Sequence, residues 1–212
     1  MFRLKLALII GGGFLAFFGL QEYRVSMGTS AEPVQIDLAK VEAGETPTNN
    51  HWLIGEHAAD YWGCVYEYKE NTKRITHLYY PIISDDNPYF DKLEELITKH
   101  GGPNNIPEAE YPDVDTFRVL VKTERFKKES AIPDGLSSDD SLQGLVINLI
   151  GSMDAEEERL IKQSFPKVNV DDVIILEEGR EPASMMVSLG MLGGGVLLIL
   201  AGLAWLFGGF LS

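Results

Sequence analysis

The feature that most constrains this chain is its C-terminal segment, in which residues 183–212 carry no charged side chain. A helix that crosses a bilayer needs roughly 20 predominantly apolar residues, because each residue adds about 1.5 Å along the axis. The segment exceeds this length and can span a membrane even when tilted. Pro182 suits the first turn of such a helix, where its missing N–H has no partner to lose. We therefore predict a transmembrane helix over residues 182–212.

A second apolar segment lies near the N-terminus, where Arg3 and Lys5 precede an uncharged run over residues 6–20. The run is short for a span, but a lysine at its border can lay its aliphatic stem along the apolar region and keep its ammonium group in water. A cleavable signal peptide begins in the same way. The nearest acceptable cleavage site, residues 29–31, lies well beyond the apolar run. This favours an uncleaved transmembrane helix over residues 1–21.

The charge distribution predicts how the two helices are oriented. Cytoplasmic flanks of membrane spans carry an excess of Lys and Arg, and Arg3 and Lys5 are the only charged residues outside the central segment. We therefore predict that both termini are cytoplasmic and that residues 22–181 lie outside. The chain has 18 Lys and Arg and 32 Asp and Glu, so the central segment carries 16 − 32 = −16 formal charges. Such a charge disfavours binding to nucleic acid and to anionic lipid surfaces.

The composition of the central segment indicates in which cellular compartment the protein lies. Cys64 is its one cysteine, so it has no internal disulfide framework. It contains no N-x-[ST] glycosylation site. A domain of about 150 residues is large enough to bury a stable core without disulfide bonds. These features favour a plasma membrane, of the bacterial inner-membrane type, as the location of a two-pass protein.

Hydrophobic periodicity predicts an α+β domain over residues 34–181, which a linker over residues 22–33 joins to the first span. Period-two alternation or continuous apolar character indicates strands, which we predict at residues 34–38, 51–54, 62–69, 74–83, 116–124, 142–151 and 170–179. Capping residues and an apolar period of 3.6 indicate helices at residues 87–101 and 154–165. We expect most strands to form one antiparallel or mixed sheet. Residues 55–63, whose Tyr61 and Trp62 are expected to cover the edge of the core, and residues 132–141 are predicted as loops.

Residues 51–68 are the richest in reactive side chains, with His51, His57 and Cys64, and His77 follows on the next predicted strand. A nucleophilic cysteine needs a cation or a helix terminus that lowers its pKa, whereas Cys64 alternates with aromatic residues as a buried strand residue does. The histidine spacings match no common metal motif. Nucleophile-elbow, phosphate-loop, dinucleotide and metalloprotease motifs do not occur in the sequence. We therefore assign no catalytic, cofactor-binding or metal-binding residue.

Small residues in the two apolar segments indicate helix packing. Pairs four residues apart allow helices to approach closely in lipid, where close packing rather than water exclusion drives association. The candidates are Gly12 with Ala16, Gly190 with Gly194, and Ala204 with Gly208. Glycine is also simply tolerated in membrane helices, but its frequency in the second span favours an interface.

Together these observations predict a two-pass membrane protein whose acidic outer domain binds or positions an envelope partner without catalysing a reaction. The partners that we expect are the lipid bilayer and either another membrane protein or a second copy of this chain. The alternative is a membrane-tethered enzyme that uses the region between His51 and His77.

Overall fold

The computed structural model describes residues 2–69, 71–148 and 155–208, which form two compact units. The first, here called the helix pair, combines Met1–Ala31 with Glu181–Ser212, and the second, the sheet domain, is Glu32–Arg180. In chain order the helices and strands are α1 (Phe2–Ser26), β1 (Val34–Ile36), α2 (Leu38–Glu42), β2 (His51–Ile54), β3 (His57–Asp60), β4 (Val65–Lys69), β5 (Arg74–Ile83), α3 (Pro88–His100), β6 (Val119–Thr123), β7 (Leu136–Asp139), β8 (Leu142–Val146), α4 (Ala155–Ser164), β9 (Ile174–Glu178) and α5 (Met185–Gly208).

Within the described ranges, α1 and α5 are the two helices that are long and apolar enough to cross a membrane. Only 11% and 17% of their most apolar windows are buried. A core helix of a soluble protein would be mostly buried, so this low burial favours membrane spans over core helices. α1 continues to Ser26, beyond the predicted end of the first span at residue 21. Residues 1 and 209–212 of the predicted spans lie outside the described residues.

The sheet domain has an α+β fold, as the sequence predicts, built on one curled mixed sheet. The strand order is β1-β2-β8-β9-β6-β5-β3-β7, and β4 pairs with β5 outside this path. The pairs β1–β2 and β6–β9 are parallel, and the other pairs are antiparallel. The strand β5 is long enough to pair with both β3 and β4, because β3 pairs with its C-terminal end and β4 with its N-terminal part.

Alternation along the central strands supplies two hydrophobic cores, one on each face of the sheet. On β6, Val119 and Val121 enter the first core and Leu120 enters the second. The first core is centred on Trp52 and the second contains side chains from α3 and α4, which cover that face. Because both faces of the central strands are covered, successive residues such as Val119, Leu120 and Val121 on β6 are all apolar and buried.

The sequence signals at the ends of α3 are confirmed. The side chain of Asn87 accepts a hydrogen bond from the backbone N–H of Tyr89 at 3.0 Å, and Pro88 occupies the first helical position. Gly101 ends the helix in the left-handed region, with φ of 71°, which glycine adopts without steric cost. This helix therefore begins and ends where its capping residues predict.

Other segments differ from the prediction. The sequence predicts loops at residues 57–60 and 136–139, whereas the structure has β3 and β7 there. All four residues of β3 are buried, so the alternation that marks a half-exposed strand does not occur. The first predicted strand ends at Ile36, because the side chain of Asp37 caps the short helix α2. Residues 149–154, which contain the end of one predicted strand and the start of one predicted helix, lie outside the described residues.

Candidate functional site

The contact between α1 and α5 is made through small residues that allow the two backbones to touch. A Cβ atom added to Gly195 would lie 2.4 Å from the backbone nitrogen of Ala16 and 2.7 Å from the carbonyl oxygen of Gly12. A Cβ atom added to Gly19 would lie 2.4 Å from the backbone nitrogen of Leu192. Real Cβ atoms do not approach backbone atoms so closely, so each of these positions requires glycine.

Some of the predicted packing residues lie in the α1–α5 contact, and others do not. Gly12 and Ala16 lie in the α1–α5 contact, and Gly194 lies near its edge, where a Cβ would be 3.8 Å from Leu15 Cδ2. A Cβ on Gly190 would meet no atom within 4 Å, and Ala204 is exposed. Gly208 is the last residue of α5, and its surroundings lie outside the described residues. Packing of these exposed positions against another chain stays a prediction.

The buried small residues of α5 repeat every seven residues, whereas the sequence prediction rests on pairs four residues apart. They are Ser188, Gly195 and Gly202, each seven residues from the next, and the buried glycines of α1, Gly12 and Gly19, are also seven apart. A seven-residue repeat keeps one stripe of a helix facing its neighbour and is typical of left-handed packing. In the sequence, the signal of this stripe is the seven-residue spacing of its small residues.

One polar contact accompanies this packing. The ammonium group of Lys5 donates a hydrogen bond to the carbonyl oxygen of Trp205 at 2.8 Å and lies 5.5 Å from the centre of its indole ring. Carbonyl groups near a helix C-terminus carry partial negative charge and have no partner within the helix. Lys5 therefore satisfies one of these groups at the C-terminal end of α5.

The histidines of the region between His51 and His77 contact different partners. His51 Nε2 lies 3.1 Å from the side-chain nitrogen of Gln143 on β8, and His57 Nδ1 lies 2.7 Å from the carbonyl oxygen of Gly55. His77 lies between two carboxylates, with Nδ1 3.4 Å from Glu67 and Nε2 3.6 Å from Glu124. Among the described residues, no group of three or more His, Cys, Asp or Glu is arranged to hold a metal ion.

Cys64 lies in the turn before β4 and packs, half-buried, against the first core. The pKa of its thiol is raised, first by burial and then by the negative charge of Asp60. A raised pKa reduces the thiolate fraction at neutral pH, and thiolate is the nucleophilic form. These surroundings favour a packing role for Cys64.

A cavity of about 410 Å³ lies on the helix-covered side of the sheet domain, and we call it the Trp62 cleft. It forms where four parts of the chain meet: the turn after β3, the start of α3, the loop between α3 and β6, and the C-terminal end of α4 with the residues that follow it. Its lining residues are Asp60, Trp62, Gly63, Tyr89, Glu108, Tyr111, Pro112, Asp113, Val114, Asp115, Ser164, Phe165, Pro166, Lys167 and Val168. Its volume falls within the range of small-ligand sites, roughly 300–1,000 Å³.

Asp60 is the buried carboxylate of this cleft. It ends β3, is 6% exposed, and accepts hydrogen bonds from the backbone N–H groups of Trp62, at 3.0 Å, and Gly63. Burial raises the pKa of Asp60; these two hydrogen bonds oppose the shift, and the negative charge of Asp113 adds to it. A Cβ on Gly63 would lie 2.7 Å from the carboxylate, so only glycine leaves room for it.

Trp62 forms one side of the cleft and is 59% exposed. Its indole N–H donates a hydrogen bond to Asp134 at 3.2 Å, and a Cβ on Gly135 would lie 3.2 Å from the indole ring. On another side the ring of Tyr111 meets the indole edge to face, with centroids 5.5 Å apart. A large apolar ring is thus fixed in position while most of its surface stays open.

Among the described residues that line the cleft, Lys167 is the one cation. Its ammonium group lies 2.7 Å from Asp113 and 3.9 Å from Asp115. Since Asp60 and Glu108 also line the cavity, carboxylates outnumber cations there. The cleft is therefore acidic, with aromatic walls. The sequence predicts Trp62 at the start of a strand, and segments so distant in the chain give no local signal that they meet.

Comparisons of the chain with protein-family models, with curated proteins and with solved structures find no match. The geometry of the molecule therefore carries the functional assignment.

Proposed function

We propose that this chain is a two-pass protein of a bacterial inner membrane whose sheet domain, outside the cytoplasm, binds or positions another envelope protein without catalysing a reaction. Two apolar helices that could cross a membrane support the first part. Arg3 and Lys5, in the first turns of α1 and before its uncharged run, support cytoplasmic termini. The acidic composition of the sheet domain suits a soluble domain that avoids anionic lipid.

The observation that carries the binding role is the fixed, open indole of Trp62 beside an aromatic and acidic cavity. Aromatic side chains that stay exposed in a rigid position are enriched at the centres of protein interfaces, where they supply contact area at low entropic cost. The loop between α3 and β6 brings Tyr111 and Glu108 to the same opening. A partner that covers Trp62 would also cover these residues.

A site-specific photocrosslinker tests the binding role in cells. The crosslinking amino acid is placed at Glu108, on the cleft, and in a matched strain at Glu94, which is exposed on α3 away from it. We expect one discrete adduct of an envelope protein from position 108 and none from position 94. The same adducts from both positions, or none from either, would contradict binding through the cleft.

Reporter fusions test the topology. A reporter after Ser212 should be active only as a cytoplasmic reporter, and one inserted at Asn104 only as an external reporter. Replacing both Arg3 and Lys5 with glutamine should reduce this bias, because the excess of cations on the cytoplasmic flank is lost. External activity of the reporter after Ser212 would overturn the two-pass orientation.

Asp60 gives a specific reason to keep the second candidate, a membrane-tethered enzyme that uses the region between His51 and His77. Asp60 lies in this region, in a cavity, with its pKa raised by burial, and a carboxyl group in such a place can donate or accept a proton. Asp60→Asn separates the two candidates. Loss of cellular function with unchanged folding and unchanged crosslinking at position 108 would favour the enzyme.

A further inference from the structure

We infer that the Trp62 cleft receives a lysine or arginine side chain of the protein partner, whose charge lies over the indole of Trp62 and against the carboxylates of Asp113 and Asp115. The inference rests on the proposed function and names the chemistry by which that partner is recognised. It is carried by charge complementarity, by the fixed indole and by the behaviour of Lys167.

The contact of Lys167 shows which charge this cleft accommodates. An ammonium group of the chain itself is already held between Asp113 and Asp115, at 2.7 and 3.9 Å. The pair is exposed, with 62% of the Lys167 side chain and 75% of the Asp113 side chain in contact with solvent. Exposed ion pairs contribute little free energy to a fold, because water and salt screen them. An incoming cation can therefore displace Lys167 from these carboxylates at small cost.

Trp62 supplies the second half of the recognition. A cation within about 6 Å of the centre of an aromatic ring is attracted by the negative face of the ring, and tryptophan is the best of the aromatic residues for this contact. The hydrogen bond to Asp134 and the contact with Gly135 fix the indole in advance, so a ligand does not have to order it. The edge-to-face ring of Tyr111 extends the aromatic wall for the aliphatic stem of a lysine or an arginine.

Two further features favour a cation over an anion or a neutral group. Asp60 lies at the buried end of the cleft, where its carboxylate has lost most of its hydration and gains from any positive charge that approaches. Ser164 is the last residue of α4, and the carbonyl groups at a helix C-terminus carry partial negative charge. An anionic ligand would meet unfavourable charge on both sides.

Fluorine NMR of the full chain, labelled with 5-fluorotryptophan in detergent micelles, tests the inference with defined peptides. The probes are capped pentapeptides of glycine and serine whose central residue is lysine, arginine, norleucine or glutamate. We expect the lysine and arginine peptides to shift the Trp62 resonance saturably, about tenfold more tightly than the norleucine peptide, and the glutamate peptide to leave it unchanged. Trp52, which is fully buried, and Trp205, in α5, serve as internal controls.

Charge variants show whether the carboxylates of the cleft are responsible. The double variant Asp113→Asn with Asp115→Asn should lose the preference for lysine over norleucine. The double variant Asp91→Asn with Glu94→Gln changes the net charge equally on an exposed face of α3 and should keep it.

Lys167→Met should have the opposite effect on binding of the lysine peptide. Removal of the competing ammonium group should tighten binding of the lysine peptide several-fold and leave the norleucine peptide unaffected. A merely structural role of the Lys167 contact would not tighten binding.

Several results would overturn the inference. Equal binding of the lysine and norleucine peptides would show that the cleft takes apolar groups. A shift of Trp62 with a neutral oligosaccharide, but not with the lysine peptide, would assign the cleft to a glycan. A shift with spermidine alone would assign it to free polyamines. If position 108 crosslinks to a partner while the cationic peptides fail to bind, the proposed function stands and this inference fails.

Discussion

The helix pair and the sheet domain bury opposite kinds of residue. In the helix pair the described buried positions other than Val25 are small, with Gly12 and Gly19 on one helix and Ser188, Gly195 and Gly202 on the other. In the sheet domain the largest fully buried side chains are Trp52, Tyr79 and Tyr80. One unit brings backbones together, and the other fills a core with large rings.

The difference follows from the surroundings that each unit suits. In water, burial of apolar area contributes about 25 cal/mol per Å², so large side chains in a core stabilise the fold most. Between two helices in lipid, a leucine gains little by leaving lipid for protein, and close contact of backbones contributes more. The comparison thus predicts that the two units respond to opposite substitutions: the sheet domain to loss of volume, and the helix pair to gain of volume.

The largest expected effect is that of Trp52→Ala. Trp52 is 0% exposed and lies in the first core of the sheet domain. Loss of a buried aromatic side chain should lower the free energy of unfolding by about 3–5 kcal/mol, through lost burial and the cavity left behind. Urea denaturation of the full chain in detergent, followed by near-UV circular dichroism, measures it.

Trp62→Ala is the matched control for that experiment. The same atoms are removed, but Trp62 is 59% exposed, so the loss should stay below about 1 kcal/mol. Equal losses for Trp52 and Trp62 would mean that the cleft is part of the core, which would remove the reason for assigning a ligand to it.

Substitutions that add volume should act on the helix pair. Gly195→Ala and Gly19→Ala place a methyl group against backbone atoms of the other helix, at 2.4 Å in each case. Overpacking of this kind generally costs about 1–3 kcal/mol. The helices should therefore separate at a lower concentration of dodecyl sulfate, which the fluorine resonance of Trp205 reports through its contact with Lys5.

Gly190→Ala and Gly193→Ala control for the helix propensity of alanine, because a Cβ at either position meets no atom within 4 Å. Both variants should resist dodecyl sulfate as well as the original chain does. If Gly190→Ala weakens the pair as much as Gly195→Ala does, the four-residue spacing defines the interface and the seven-residue spacing does not.

The two units also differ in how far their sequences predict them. The existence of the two apolar helices follows from composition, but α5 is apolar on every side, so hydrophobic periodicity does not identify the face that meets α1. In the sheet domain, alternation and capping predict β4, β5, β6 and α3. They miss β3, because all four of its residues are buried. They also miss β7, because Ser137 and Ser138 lack the apolar character of a strand.

The Trp62 cleft is the part that the sequence predicts least. Its lining residues are Tyr89 on α3 and segments at residues 60–63, 108–115 and 164–168, which meet only in the folded domain. Each segment alone has the composition of an ordinary loop. A site of this kind depends on tertiary contacts, whereas a capping residue such as Asn87 depends on its own neighbours in the chain.

The smallest expected effect concerns Asp60, which is buried although it carries a charge. Its pKa is raised, chiefly by burial, above the value of about 3.9 that an aspartate has in an unfolded chain. Between these two values the folded state binds more protons than the unfolded state, so stability falls as pH rises. Asp60→Asn removes this titration. The free energy of unfolding of the variant, minus that of the original chain, should therefore increase from pH 4 to pH 7.

The sign of this change does not depend on how well an asparagine fits, because a poor fit shifts the difference equally at every pH. Asp91→Asn provides the baseline for the same chemical change at an exposed position on α3. If the difference in free energy of unfolding between Asp60→Asn and the original chain stays constant or falls as pH rises, burial does not penalise the charge of Asp60. An increase would show that burial in the sheet domain penalises the charged form of this carboxyl group. Such a residue is expected where a ligand supplies the missing charge, and the lysine peptide should then reduce the pH dependence of the original chain toward that of the variant.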